Sequence, residues 1–181
     1  MRYCLLILFP LYFTSCTGAM EGDNSNPNEF GKLIFNAIKY DRPDVYREYI
    51  FNMPEIEPLI EQFASGPGVT AKWAKELRQK QTESYAETRQ LLTESYDAIQ
   101  ENARERGIDD WDNFEFQRVT YNLVDMDSIL RALDTTVEFK SDDFYGTINI
   151  GNIYYTDRGW VMVHVPKLGK VMPNMFGKVS Q

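Results

Sequence analysis

Hydrophobic positions along this chain change period once. From residue 30 to about 106 they recur every three or four residues, as on a helix with one buried stripe, and from residue 114 onward they alternate, as on a strand. Phe30, Leu33, Ile34, Ala37 and Ile38 predict a first helix, and Asp41-Arg42-Pro43 punctuates after it. Val45, Tyr46, Tyr49 and Ile50 mark a second, short helix ended by Met53-Pro54. Ile56, Leu59, Ile60 and Phe63 mark a third, which Ser65-Gly66-Pro67-Gly68 stops.

No Gly or Pro interrupts Thr70 to Arg106, where Trp73, Leu77, Tyr85, Leu92, Tyr96, Ile99 and Ala103 form a recurring apolar face and Gly107 supplies a C-terminal stop. One unbroken helix over that stretch spans ~55 Å, more than a compact domain of this size accommodates. A bend or break is therefore expected near Gln79 to Ser84, where the face turns polar. Thr82-Glu83-Ser84-Tyr85 recurs eleven residues on as Thr93-Glu94-Ser95-Tyr96, placing both tyrosines on one side of the helix; core packing accounts for the pair.

The second half predicts four strands: a long one with a bulge through Phe114, Phe116, Val119, Tyr121 and Leu123; one within Ile129 to Lys140 around Val137 and Phe139; one from Tyr145 to Tyr155; and one from Trp160 to Val165. Asp157-Arg158-Gly159 joins the last two as a tight hairpin. Helices followed by an antiparallel meander give an α+β class, with N-terminal helices packed on a curved four-stranded sheet. The domain is expected over residues 29–168, with an irregular C-terminal tail over 169–181, which holds Gly169, Pro173 and Gly177.

Composition adds an address. Met1-Arg2 and the apolar run Tyr3 to Phe13 have the form of a signal peptide, residues 1–15, too short to span a bilayer. Residues 16–28 are rich in Gly, Asn, Ser and acids and read as a flexible tether. The 181 residues carry a formal charge of −8, and removal of the signal with Arg2 leaves 18 basic against 27 acidic side chains. That balance excludes nucleic acid as a partner and keeps the body, taken as a whole, away from anionic head groups. Of two cysteines, only Cys16 survives cleavage, so no intrachain disulfide or cysteine-based zinc site forms.

Phe13-Thr14-Ser15-Cys16 resembles the lipobox of bacterial lipoproteins, with Phe13 where that family usually has Leu. The resemblance implies acylation of Cys16, palmitate included, and anchorage to a bacterial envelope membrane, the outer membrane on its periplasmic or surface face. Cleavage after Gly18 or Ala19 as an ordinary secretory signal is the alternative. The N-terminal helices, Gly107-Ile108-Asp109 before a long strand, and the Ile153 to Trp160 hairpin closing on Gly-Trp further resemble small Bacteroidota lipoproteins with an NTF2-like or cystatin-like cone for a body.

Chemical motifs are sparse. No Gly-rich phosphate loop, His-Glu-x-x-His or Gly-x-Ser-x-Gly occurs, and there is one histidine; no catalytic residue, metal site or cofactor is assigned. Asp125-Met126-Asp127 begins like a calcium loop, but Leu130 stands where that loop needs Gly; Asp109, Asp110 and Asp112 likewise lack a following ligand pattern. Alternation in Val161-Met162-Val163-His164-Val165 sends the valines to one face and Met162 with His164 to the other. Tyr121, Tyr145, Tyr155, Trp160 and His164 are the candidate lining of a pocket for a small apolar or glycan-like ligand.

Three functions follow as expectations: a noncatalytic ligand-binding or protein-interaction lipoprotein held at the membrane by its anchor; an isomerase or dehydratase of the kind that cone hosts, with a buried carboxylate and a tyrosine or His164; and a structural component of an envelope assembly presenting Tyr85 and Tyr96.

Overall fold

A computed structural model describes residues 24–124 and 132–174. The signal segment, Cys16, Asp125-Met126-Asp127 and residues 175–181 lie outside the described residues. The fold is α+β: four helices, then an open antiparallel sheet of five strands.

Helix α1, Pro27–Lys39, starts where the Asn26 side chain accepts from the Asn28 N–H at 2.8 Å and Pro27 takes the first helical position. Its stripe Phe30, Ile34, Phe35, Ala37 and Ile38 is buried. It ends in a Schellman turn: Asp41 adopts φ 50°, and Arg42 N–H reaches Ala37 O at 2.8 Å. A left-handed backbone costs a non-glycine residue ~1 kcal/mol, and the Tyr96 hydroxyl offsets it by donating to Asp41 Oδ1 at 2.8 Å. Helix α2 is Pro43–Glu48, and α3 is Met53–Ala64, whose Glu55 carboxylate accepts from the Asn52 N–H at 2.9 Å.

Helix α4 is continuous from Ala71 to Glu105, 35 residues, without the expected break. Its polar middle is carried in the helix by Thr82 Oγ1 donating to Arg78 O at 2.9 Å and by Gln79 Nε2 donating to Glu83 Oε1 at 2.7 Å. The length fits because α4 does not lie wholly inside the domain. Leu92, Ser95, Tyr96, Ile99 and Ala103 enter the core, whereas the N-terminal part pairs with α3 as a helical hairpin. The helix ends as the sequence predicts, with Gly107 at φ 82° and Ile108 N–H on Ala103 O at 2.9 Å.

Strands β1 (Glu115–Leu123), β2 (Ala132–Lys140), β3 (Phe144–Thr156) and β4 (Gly159–Met162) form a meander in that order. The expected bulge in β1 falls between Phe116 and Arg118. Strand β5, Lys167–Pro173, also pairs with β3: β4 takes its end from Ile153 to Thr156, and β5 takes its beginning from Phe144 to Asn149. The last rung of the meander is thus one interrupted strand, so four strands become five, and residues 169–173, expected in an irregular tail, are sheet. Gly169 misleads because it reads as a turn residue; it is glycine because a Cβ there would strike Thr147 Oγ1, which accepts from Lys170 N–H at 3.0 Å.

Helix α1 lies across β1 and β2. The contact is close enough that a Cβ on Gly31 would stand 2.5 Å from Val119 Cγ2. Beside it, Phe139 stacks on Phe35 at 5.9 Å between ring centroids and meets Trp111 and Phe114 edge-on at 5.2 and 5.5 Å. At the other end of the sheet both faces are covered. Val161 and Met162 are each fully buried. Strand β4 ends at Met162, so the alternation expected through His164 does not continue: Met162 pairs with buried Ile153 and bridges to Ile50, whereas His164 lies with Asn152 and Tyr154.

Candidate functional site

Along the α3–α4 hairpin, Ile56, Leu59, Ile60 and Phe63 of α3 face Leu77 and Gln81 of α4, with Tyr154 of β3 as the floor, around a cavity of about 120 Å³. A second hollow of about 270 Å³ continues it, sharing Ile56, Gln81 and Tyr154 and adding Phe51, Ser84, Tyr85, Thr88, Asn152, Val163 and His164. Together they make a groove with a graded lining, aliphatic and aromatic toward the hairpin tip, amide, hydroxyl and imidazole toward His164. Tyr154 is half-buried, and burial pushes its phenol above the ordinary tyrosine value. His164 is exposed and lies over Gly151, where a Cβ would come within 3.1 Å of the imidazole carbons. Gly151 takes φ 73°, so the site needs glycine for conformation and for space.

The five residues picked from sequence do not converge. Tyr121 is 46% exposed on β1, which among the described strands pairs with β2 alone. Tyr145 donates to Glu138 Oε2 at 2.5 Å, and Arg118 Nε donates to the same oxygen at 2.8 Å, a polar trio at the surface. Arg118 and Tyr145 hold the Glu138 carboxyl below its ordinary range against the cost of partial burial. Trp160 is 6% exposed, its Nε1–H donating to Ser25 O at 3.0 Å, and the Tyr155 ring meets it edge-on at 5.2 Å. Only His164 reaches the groove.

A register shift explains the misplacement. Before it, Tyr145, Thr147 and Asn149 share a face with Lys140, Glu138 and Thr136; after it, Gly151 and Ile153 pair with Thr135 and Leu133. The extra residue reverses parity, so Tyr145 and Tyr155 point to opposite faces, and Tyr154, not Tyr155, floors the groove. The one available signal was Gly151 itself, a glycine inside a strand pattern.

A larger cleft, about 1080 Å³, opens at the other end of the molecule between Asp109, Asp110, Asp112, Glu115, Asp142, Asp143, Lys39 and Lys140. Lys39 Nζ donates to Phe114 O at 2.7 Å there. No set of three metal-ligating groups stands together among the described residues. Among the described residues no carboxylate lines the apolar groove, no histidine or tyrosine lines the acidic cleft, and a neighbouring hollow of about 410 Å³ places Tyr40 with Asp41, Asp109, Asp110 and Asp112. Tyr96 is 2% exposed and Tyr85 packs edge-on against Phe51 at 5.4 Å, so these tyrosines are not a free assembly surface. No described helix is long and apolar enough to cross a membrane. The chain matches no family model, no curated protein and no solved structure.

Proposed function

We propose that this chain is an envelope lipoprotein, held at a bacterial membrane through acylated Cys16, whose body binds an apolar or amphiphilic ligand without turnover in the groove between α3, α4 and β3. The supporting observation is the groove's lining: five apolar side chains of α3 and α4 at one end, and Gln81, Asn152 and His164 as a polar terminus at the other. Such a gradient suits a short acyl or aryl chain carrying a hydrogen-bonding head.

Two measurements test the reading. An environment-sensitive naphthylamine dye should bind the mature chain and be displaced by medium-chain amphiphiles, while Ile60→Trp, which fills the apolar end, weakens the dye at least ~10-fold without lowering the melting temperature. Equal binding by that folded variant removes the groove as the site. Separately, the mature N-terminus should carry acyl chains on Cys16, and Cys16→Ser should release the protein from membranes; an unmodified Cys16 in native envelopes ends the lipoprotein reading.

A further inference from the structure

Charge is not spread evenly over this acidic protein. Residues 65–80, covering the tip of the α3–α4 hairpin and the first turns of α4, hold Lys72, Lys75, Arg78 and Lys80 against Glu76, whereas the rest of the chain holds 15 basic and 26 acidic side chains. Lys72, Lys75, Arg78 and Lys80 are all exposed. Arg78 is engaged by Glu61 at 2.6 Å, and Lys72 stands 3.8 Å from Glu76 with both side chains open to solvent. Among them Trp73 is 40% exposed, its ring leaning on Phe63 at 5.2 Å. A tryptophan with an open edge, followed two turns on along the same side of the helix by Lys80, at the end of a basic hairpin is an arrangement that favours a bilayer interface.

The chain's own attachment puts that tip on one side of the body. Asn24 Nδ2 donates to Arg158 O at 2.7 Å, Trp160 N–H donates to Asn24 O at 3.0 Å, and Trp160 Nε1–H donates to Ser25 O at 3.0 Å. The segment arriving from Cys16 is thereby fastened to the β3–β4 turn. Arg158 in turn bonds Ile50 O at 3.2 Å and Glu55 at 2.7 Å, at the start of α3. Helix α4 runs back along β3, with Arg106 on Gly169 O, Tyr85 against Phe51 near Met162, and Gln81 beside Tyr154. Leu77 and Gln81 still lie against Tyr154, and residues 71–76 carry the helix ~9 Å further toward the end of the sheet where the tether is fastened. The eight residues from Cys16 to Asn24 reach at most ~29 Å. That reach exceeds the ~9 Å of helix beyond Leu77, so the tip can meet the surface that holds the anchor, while the acidic cleft, lined by residues from Asp109 to Glu115 and from Lys140 to Phe144, sits at the far end.

We propose that the hairpin tip is a membrane-docking element: Lys72, Lys75 and Lys80 contact anionic phospholipid head groups and Trp73 enters the interface, turning the acidic cleft away from the bilayer. The proposal rests on the reading of Cys16 as the membrane attachment. It also directs the apolar end of the groove, at Phe63 and Leu77, toward the lipid.

The test couples Cys16, the one cysteine of the mature chain, through a maleimide lipid to vesicles with brominated acyl chains, so that attachment does not depend on natural acylation. Trp111 and Trp160 are each 6% exposed, so bromine quenching reports on Trp73. Quenching is expected on vesicles containing phosphatidylglycerol and absent on pure phosphatidylcholine. It should fade from 0.1 to 1 M salt, as the screening length falls from ~10 to ~3 Å. It should vanish in the triple variant Lys72→Glu, Lys75→Glu, Lys80→Glu and in Trp73→Phe, with the buried tryptophans' emission confirming that each folds. No quenching on anionic vesicles, quenching insensitive to the triple variant, or a photo-crosslinker at position 73 capturing an envelope protein in place of lipid each overturns the proposal. An unmodified native Cys16 overturns the lipoprotein reading alone, because the coupled assay still measures docking.

Discussion

The two halves of α4 share one helix and differ in what they face. From Leu92 onward the helix sends five residues into the core; in the 21 residues before it, Ala74 alone is buried. The C-terminal half is also tied by polar bonds: Tyr46 Oη and Ser95 Oγ lie 2.8 Å apart, Gln100 Nε2 donates to Ile38 O at 3.0 Å, and Trp111 Nε1 donates to Gln100 Oε1 at 2.7 Å. The N-terminal half is held mainly at its surface: against α3 through Phe63, Trp73 and an exposed Glu61–Arg78 pair, and near its junction with the buried half through Tyr85 on the Phe51 ring and Arg89 donating to Phe51 O at 2.6 Å. An ion pair as exposed as Glu61–Arg78 is screened by solvent and adds little to stability. One half is therefore scaffold, and the other is an arm free to be specialised for contact.

Core substitutions should expose this contrast most strongly. Phe139→Ala removes the ring that Phe35, Trp111 and Phe114 enclose and should cost ~3–5 kcal/mol in urea unfolding, close to the whole stability of a small domain. Ile99→Ala, on the buried half of α4, should cost ~2–5 kcal/mol. Gly31→Ala pushes a methyl into Val119 and should cost ~1–3 kcal/mol, seen as a lower urea midpoint at unchanged slope.

Alkali separates the halves by chemistry. Burial, followed by the hydrogen bond to Asp41, pushes the Tyr96 phenol up to about 12, and burial raises Tyr46 as well. A phenol with a higher pKa in the folded chain stabilises it fully below the unfolded value of ~10, and that contribution is lost as pH rises through the folded value. The urea midpoint should fall between pH 10 and 12, with phenolate absorbance rising on unfolding, and Tyr96→Phe should flatten that fall. The smallest effect belongs to the arm: Leu77→Ala should cost ~1 kcal/mol or less, and amides of residues 75–84 should exchange with deuterium well before those of 95–103.

Much of this fold was legible in the sequence because its signals are local. Asp41-Arg42-Pro43, Gly66-Pro67-Gly68 and Gly107 each mark a real terminus, and the change of period near residue 114 marks the step from helices to sheet. What was not legible depends on non-local geometry. Helix α4 stays whole because α3 lies beside it, which no property of Gln79 to Ser84 announces. Strand β5 hides behind Gly169 and Pro173, whose meaning comes from β3. The groove was missed for the same reason: its apolar residues read as ordinary core stripes, and the parity change at Gly151 moves the useful tyrosine from 155 to 154. His164 stands out in the sequence by its chemistry alone, whatever its surroundings, and the structure places it at the polar end of the groove.

The fastening of Asn24 and Ser25 to the β3–β4 turn also has a mechanical meaning. A pull arriving along the tether enters the body at three hydrogen bonds, two from Trp160 and one to Arg158 O, before it reaches Asn26 and the first turn of α1. Arg158 bonds Glu48 O at the end of α2 and the Glu55 carboxylate of α3, so the joint ties the incoming chain to the sheet and two helices before it reaches α1. Under the proposed attachment at Cys16, the joint would act as a strain relief between the membrane and the core.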